Sequence, residues 1–145
     1  MKESQTVVYA SFSEAVAASP LAQLEAERLG AVKKVLDEGA QKAQSLYAGM
    51  PEEKAQRARQ ADAQLLNSQW VAEQQGARAV VLTEVRKAAA DLLKKEGYAM
   101  IVDRDAVMVG QPEKDVTGAL VAGLKDAKPD FGTLPAVTPV NPEKG

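Results

Sequence analysis

The sequence contains neither cysteine nor histidine. Disulfides, Cys/His zinc sites and catalytic dyads or triads that use a thiol or an imidazole are therefore excluded. The absence of cysteine suits an oxidising compartment but does not by itself place the protein in one. The glycines show neither P-loop nor dinucleotide-binding spacing. We expect a protein that is not an enzyme and needs no metal or cofactor.

Aromatic residues and long apolar runs are also scarce. Aromatic residues make up 4% of the chain, and no segment reaches the ~18 to 20 apolar residues of a membrane-spanning helix. The first residues lack the apolar run of a signal peptide, so an exported protein would be represented here by its mature form. The net charge of -2 lacks the basic excess that nucleic acid or anionic lipid selects. These features predict a soluble protein without nucleic-acid binding or stable membrane insertion.

Apolar residues recur at helical spacing over much of the chain. The pattern predicts one amphipathic helix from Leu21 to Ala48 and a second from Pro51 to about Glu96, separated by Gly49 and Met50. Two long helices joined by so short a turn form an antiparallel hairpin. The first half of the second helix is polar, so the far end of the hairpin has little apolar surface to bury.

Between Glu96 and Leu124 the apolar residues no longer recur at helical spacing, and short strand-like segments follow. Gly97 is expected to end the second helix in a left-handed conformation. Tyr98–Val102 and Ala106–Val109 are predicted as the strands of a β-hairpin, and Asp115 or Thr117 as the cap of a last short helix. We interpret the aspartates of this stretch as turn and capping residues, not as metal ligands or catalytic carboxylates. Near the N-terminus, Thr6–Ala10 is predicted as a strand, followed by a short helix capped by Ser11 or Ser13.

This arrangement resembles the OmpH/Skp family of periplasmic chaperones. The specific part is the string EGYAMIVDRDAV, followed by DVT and a short helix, whereas the hairpin agrees in pattern and order. The resemblance covers residues 6–124. It implies an α+β fold, mostly α, in which three copies of a small strand-bearing body associate and each copy projects a long antiparallel helical hairpin.

The resemblance also implies a division of the chain. Residues 6–19 and 97–125 would form the oligomerisation body, and residues 20–96 the hairpin arm with its tip near 48–52. Residues 126–145 contain four prolines and are expected to be a flexible tail. The alternatives for this tail are a linker and a partner-docking segment around Phe131 and Leu134.

By resemblance, the function is that of an ATP-independent holdase in outer-membrane protein biogenesis. Unfolded outer-membrane or periplasmic proteins would be held in a cavity between the arms of a homotrimer in the periplasm. The residues expected to contact clients are Leu29, Val32, Leu36, Tyr47 and Trp70. A strand pair this small is marginal alone, so we expect the trimer core to bury Val8, Tyr98, Met100, Ile101, Val107 and Val109.

The charge of the arms departs from the family, whose arms are typically strongly basic. Residues 20–96 carry 12 Lys and Arg against 11 Asp and Glu, a net charge of +1. This leaves little electrostatic attraction for acidic clients. A second hypothesis therefore stays open, in which a trimeric structural or adapter protein binds one folded partner through its arms or its tail.

Overall fold

The fold is mostly helical, with one small β-sheet. A computed structural model describes residues 6–137. The elements, in chain order, are β1 (Val7–Ala10), α1 (Phe12–Ala17), α2 (Leu21–Tyr47), α3 (Glu52–Glu96), β2 (Met100–Asp103), short 3₁₀ turns at Arg104–Ala106 and Pro112–Lys114, and α4 (Thr117–Gly123). The predicted α+β class, with its long antiparallel helical hairpin, is confirmed.

The described residues fall into two compact units. The first contains residues 6–26 and 78–130, and the second contains residues 27–77 and 131–137. The predicted division into body, arm and tail stays a prediction, and residues 138–145 of the expected tail lie outside the described residues. No helix within residues 6–137 has the length and apolar character needed to cross a membrane.

The sheet of the first unit joins two distant segments of the chain. β1 and β2 pair in parallel, with Val7 opposite Met100 and Ala10 opposite Asp103. Because side chains alternate across a strand, Val8 and Ala10 share the opposite face from Val7. Val8 and Ala10 are buried. The buried core of this unit also takes side chains from the four helices and from Leu124, the residue after α4: Ala15, Val16, Leu21, Val81, Val85, Ala88 and Leu120.

The β-hairpin predicted between residues 98 and 109 is wrong. β2 does form, but its partner is β1, and the segment after it turns into a 3₁₀ helix at Arg104–Ala106. The Asp103 side chain accepts from the amide of Asp105, at 3.3 Å, and so caps this turn. Val107 to Val109 therefore continue as an irregular segment, without strand pairing.

Other local predictions are confirmed. Ser11 caps α1 by accepting from the amide of Glu14, at 3.1 Å. Gly97 has φ 74°, the left-handed conformation expected at the end of α3. Asp115 accepts from the amide of Thr117, the first residue of α4, at 3.0 Å, although the N-cap position itself is occupied by Val116.

The second unit contains the turn of the helical hairpin. Tyr47 ends α2 and packs in a small apolar cluster with Ala43 and Ala55, against which Met50 and Ala58 also pack. The tip therefore buries one aromatic ring among alanines. The first half of α3 has few large apolar residues, so the sequence predicts little apolar contact at the tip. The additional contact comes from Tyr47, the last residue of α2.

Candidate functional surfaces

Arg104 connects three segments of the first unit. It follows β2 directly, and its Nη1 donates to Oδ2 of Asp115 at 3.0 Å, while its Nη2 donates to the carboxylate of Glu14. Glu14 lies in α1, and Asp115 lies just before α4. One guanidinium thus ties the end of β2 to the two short helices, so its role is structural.

Thr117 completes this network from the other side. Its hydroxyl donates to Oδ1 of Asp115 and accepts from the amide of Ser11 at 2.8 Å. The hydrogen bond from Thr117 lowers the pKa of Asp115 from its ordinary value, Arg104 acts in the same direction, and partial burial opposes both. The Asp115-Val116-Thr117 string that carries the family resemblance therefore joins the start of α4 to the end of β1.

These aspartates are held by protein groups. Oδ1 of Asp103 accepts from amides at Asp105 and Phe12, and Asp115 accepts from Arg104 and Thr117. Within residues 6–137, no group of three or more acidic side chains is placed to hold a metal ion. The network supports the interpretation of these residues as turn and capping groups.

One face of the small sheet is apolar and open to solvent. Val7 and Met100, which pair in register, are 51% and 53% exposed. Met108 and Val109, in the segment after β2, are 98% and 87% exposed. We call these four residues the open sheet face. Val109 lines one groove together with Val7. Several large exposed apolar side chains on and next to a sheet are typical of a surface that binds another protein.

The segment that carries Met108 and Val109 is anchored to β1. The hydroxyl of Tyr9 donates to the carbonyl oxygen of Gln111 at 2.7 Å. Gly110 lies so close to the Tyr9 ring that a Cβ on Gly110 would come within 2.6 Å of Cε2, so only glycine fits this approach. The exposed methionine and valine are thus presented by a fixed segment.

The residues predicted for the trimer core lie on different sides of the sheet. Met100 and Val109 belong to the open sheet face, and Tyr98 and Val107 are half-buried. Val8 is buried within the chain. Ile101 is half-buried and lines a groove with Leu82 and Val85 of α3. The involvement of all six in a trimer stays a prediction, but only Met100 and Val109 are freely presented.

In the second unit, Tyr47 makes polar contacts as well as apolar ones. Its hydroxyl donates to the Asp62 carboxylate, and the Arg59 guanidinium lies 5.4 Å from the ring centroid. Burial, followed by the contact with Asp62, raises the pKa of Tyr47 to about 12. The phenol therefore links α2 to α3 near the turn.

The residues predicted to contact clients are mostly covered. Val32, Leu36 and Tyr47 are buried, whereas Leu29 and Trp70 are half-buried. Client contact through the buried three would require the groups that cover them to move away. Other large apolar side chains of the hairpin are more exposed: Leu46, Leu65 and Val71. The client-binding role of the predicted five stays a prediction.

Sequence reasoning missed the roles of Arg28 and Arg104. Arg28 bonds to Glu73 of α3 and to residues 132 and 133. The sequence does indicate that Arg28 has partners, because it lies in the apolar stripe of α2, where a buried cation needs hydrogen-bond or ion-pair partners. Arg104 stands between two aspartates, and no local signal indicates its bond to Asp115.

Comparison with protein-family models gives no match. Comparison with curated proteins also gives none. Among solved structures, the chain is similar to a Caulobacter crescentus protein described as an OmpH-like candidate outer membrane chaperone, with 21% sequence identity and a TM-score of 0.43. The alignment covers 86% of this chain and 88% of that chain.

Proposed function

We propose that this protein is a subunit of a homotrimeric, ATP-independent holdase that binds unfolded outer-membrane or periplasmic proteins in the periplasm. The observation that carries the proposal is the open sheet face of Val7, Met100, Met108 and Val109. A two-stranded sheet is marginal alone, and this one leaves its apolar face in water. Association of copies through that face would bury it, as the resemblance to the OmpH/Skp family implies.

The helical hairpin supplies the proposed client surface. Leu46, Leu65 and Val71 are exposed among charged and polar side chains, and Leu29 and Trp70 are partly accessible. Separate apolar groups on a polar surface can make many weak contacts with an unfolded chain, whose sequence need not be fixed. In this proposal residues 6–19 and 97–125 form the association body and residues 20–96 form the arm.

The test is the aggregation of a client. An outer-membrane protein unfolded in urea is diluted into buffer without nucleotide, and light scattering is followed with and without a stoichiometric amount of this protein. We expect suppression of scattering at both low and high salt, because the near-neutral arms give apolar contact the main role. The matched protein control is an equal mass of a folded protein of similar pI.

The outcome also separates the adapter hypothesis from the holdase. A protein that self-associates, yet fails to suppress aggregation of several unrelated clients at either salt concentration, contradicts the holdase proposal. That result favours a trimeric adapter that binds one folded partner.

A further inference from the structure

Residues 132–137 run along α2 within the second unit. At one end, Nη1 and Nη2 of Arg28 donate to the carbonyl oxygens of Gly132 and Thr133, both at 2.9 Å. At the other end, the Val137 side chain lies against the backbone of Gly39, where an added Cβ would come within 2.5 Å of Cγ1. The segment is therefore anchored at two points on the same helix.

The spacing of these two anchors fits an extended chain. Arg28 and Gly39 are three helical turns apart, which places them on one face of α2 at a separation of roughly 16 Å. Five residues of extended polypeptide span about the same distance. Pro135 favours an extended backbone at the centre of the segment. The distance between the two anchors on α2 thus equals the length of the extended segment that joins them.

The contacts at Arg28 do not depend on sequence. A main-chain carbonyl is offered by every residue of a polypeptide, and the two nitrogens of Arg28 take two successive carbonyls. Glu73 of α3 lies 3.6 Å from Nη2, and the Arg28 side chain is only 12% exposed. The ion pair with Glu73 therefore helps to position the guanidinium from the side of the hairpin.

Gly39 makes the surface selective for the side chain that packs against it. A glycine in the interior of a helix lowers helix stability relative to alanine, and here its missing side chain leaves room for the β-branched side chain of Val137. Leu29, Val32 and Leu36, which are predicted to contact clients, lie in the same stretch of α2. The surface thus combines a carbonyl-binding arginine with a notch for a small apolar side chain.

We propose that the α2 surface from Arg28 to Gly39 is a binding site for an extended polypeptide segment with small apolar side chains. The chain's own residues 132–137 occupy this site and compete with a client for it. The competition with clients rests on the proposed holdase function, whereas the site itself does not. The segment acts as a built-in competitor, which a client must displace.

The first experiment measures how well the segment is held in the full-length protein. Chymotrypsin cleaves after Phe131, and release of residues 132–145 is followed by mass spectrometry. Gly39→Ala places a methyl where Val137 lies, so cleavage should accelerate by about tenfold as the segment is released. Gly30→Ala is the matched control, because it lies in the same helix with no neighbouring atom within 4 Å of an added Cβ.

Arg28→Lys separates the paired hydrogen bonds from the charge. Lysine keeps the cation beside Glu73 but cannot present two nitrogens in a fixed plane, so cleavage after Phe131 should again accelerate. Circular dichroism should report an unchanged helix content for all three variants. Equal cleavage rates for wild type, Gly39→Ala and Arg28→Lys would overturn the proposed docking.

The second experiment tests binding from solution. Val137→Asp in the full-length protein displaces the segment and leaves Arg28 and Gly39 intact. A labelled peptide with the sequence of residues 131–137 should bind this variant about tenfold more tightly than wild type in fluorescence anisotropy. The gain should vanish when Arg28→Lys is added. Equal binding to wild type and to Val137→Asp contradicts the site.

The two proposals fail in different ways. Peptide binding to Val137→Asp without any suppression of client aggregation overturns the holdase function and leaves the site standing. Suppression of aggregation that is the same for wild type and Val137→Asp, without peptide binding, overturns the site and leaves the holdase function standing.

Discussion

At the scale of single residues, the first unit depends on polar side chains that each join several segments. Thr117 bonds both to Asp115 and to the amide of Ser11, and Arg104 bonds to Asp115 and Glu14. Ser11 is almost completely buried, so its amide has no access to water as a replacement partner. Loss of one side chain therefore leaves buried polar groups unsatisfied.

Thr117→Val tests this network. The substitution keeps the shape of the side chain but leaves the Ser11 amide without its acceptor, so we expect a loss of about 1–3 kcal/mol in the free energy of unfolding. Thr83→Val, at an exposed position whose hydroxyl bonds only to the Ala79 carbonyl, is the control and should change it by less than about 0.5 kcal/mol. Urea unfolding measures both. Equal effects of the two substitutions would show that the network contributes nothing specific.

The phenol of Tyr47 predicts a dependence of stability on alkaline pH. Its pKa is raised to about 12 in the folded chain, so the unfolded chain loses the proton first as pH rises. The stabilisation is complete below about pH 10 and is lost as pH rises from about 10 to about 12. Tyr47→Phe lacks this group, so the stability advantage of wild type over the variant should shrink across that range. A difference that stays constant from pH 9 to pH 12 is incompatible with the raised pKa.

At the scale of elements, local patterns predicted the helices well. The apolar stripe, Pro51 and Gly97 set the bounds of α2 and α3 to within about a residue, because helix periodicity and end signals are local. The partner of β2 could not be predicted in this way. β1 lies on the far side of the whole helical hairpin in sequence, and Arg104 turns the chain toward Glu14 and Asp115, which no local pattern encodes.

The candidate surfaces were predictable only in part. Val32 and Leu36, which are predicted to contact clients, are buried, because periodicity marks an apolar face of α2 but does not say whether that face packs within the chain or is left for a client. For Met108 and Val109, the sequence pattern predicted the wrong local structure. Their apolar character predicted a strand, whereas they lie in an irregular segment and are 98% and 87% exposed.

Gly97→Ala tests the end of α3. Gly97 has φ 74°, which costs a residue with a Cβ about 1 kcal/mol. We expect the free energy of unfolding to fall by that amount. Gly76→Ala, inside α3 with no atom within 4 Å of an added Cβ, should raise it by up to about 1 kcal/mol. Shifts of the same sign for both variants would refute the left-handed assignment.

In the assembled protein, the proposed trimer is held together through the open sheet face. Met100→Asp places a charge on that face, and Leu65→Asp places one on α3 at the same 53% exposure. Met100 is a better choice than Ile101, which lines a groove with α3 and whose replacement by Asp would disturb the fold itself. Mass photometry or light scattering should show dissociation of Met100→Asp and an unchanged assembly for Leu65→Asp.

Native mass spectrometry of the wild-type protein, mixed with a urea-diluted outer-membrane protein without nucleotide, tests both trimer formation and client binding in one experiment. We expect the mass of three 15.4 kDa chains for the free protein and a second species of three chains with one client. A protein that stays a single chain and forms no client complex would contradict the proposed function.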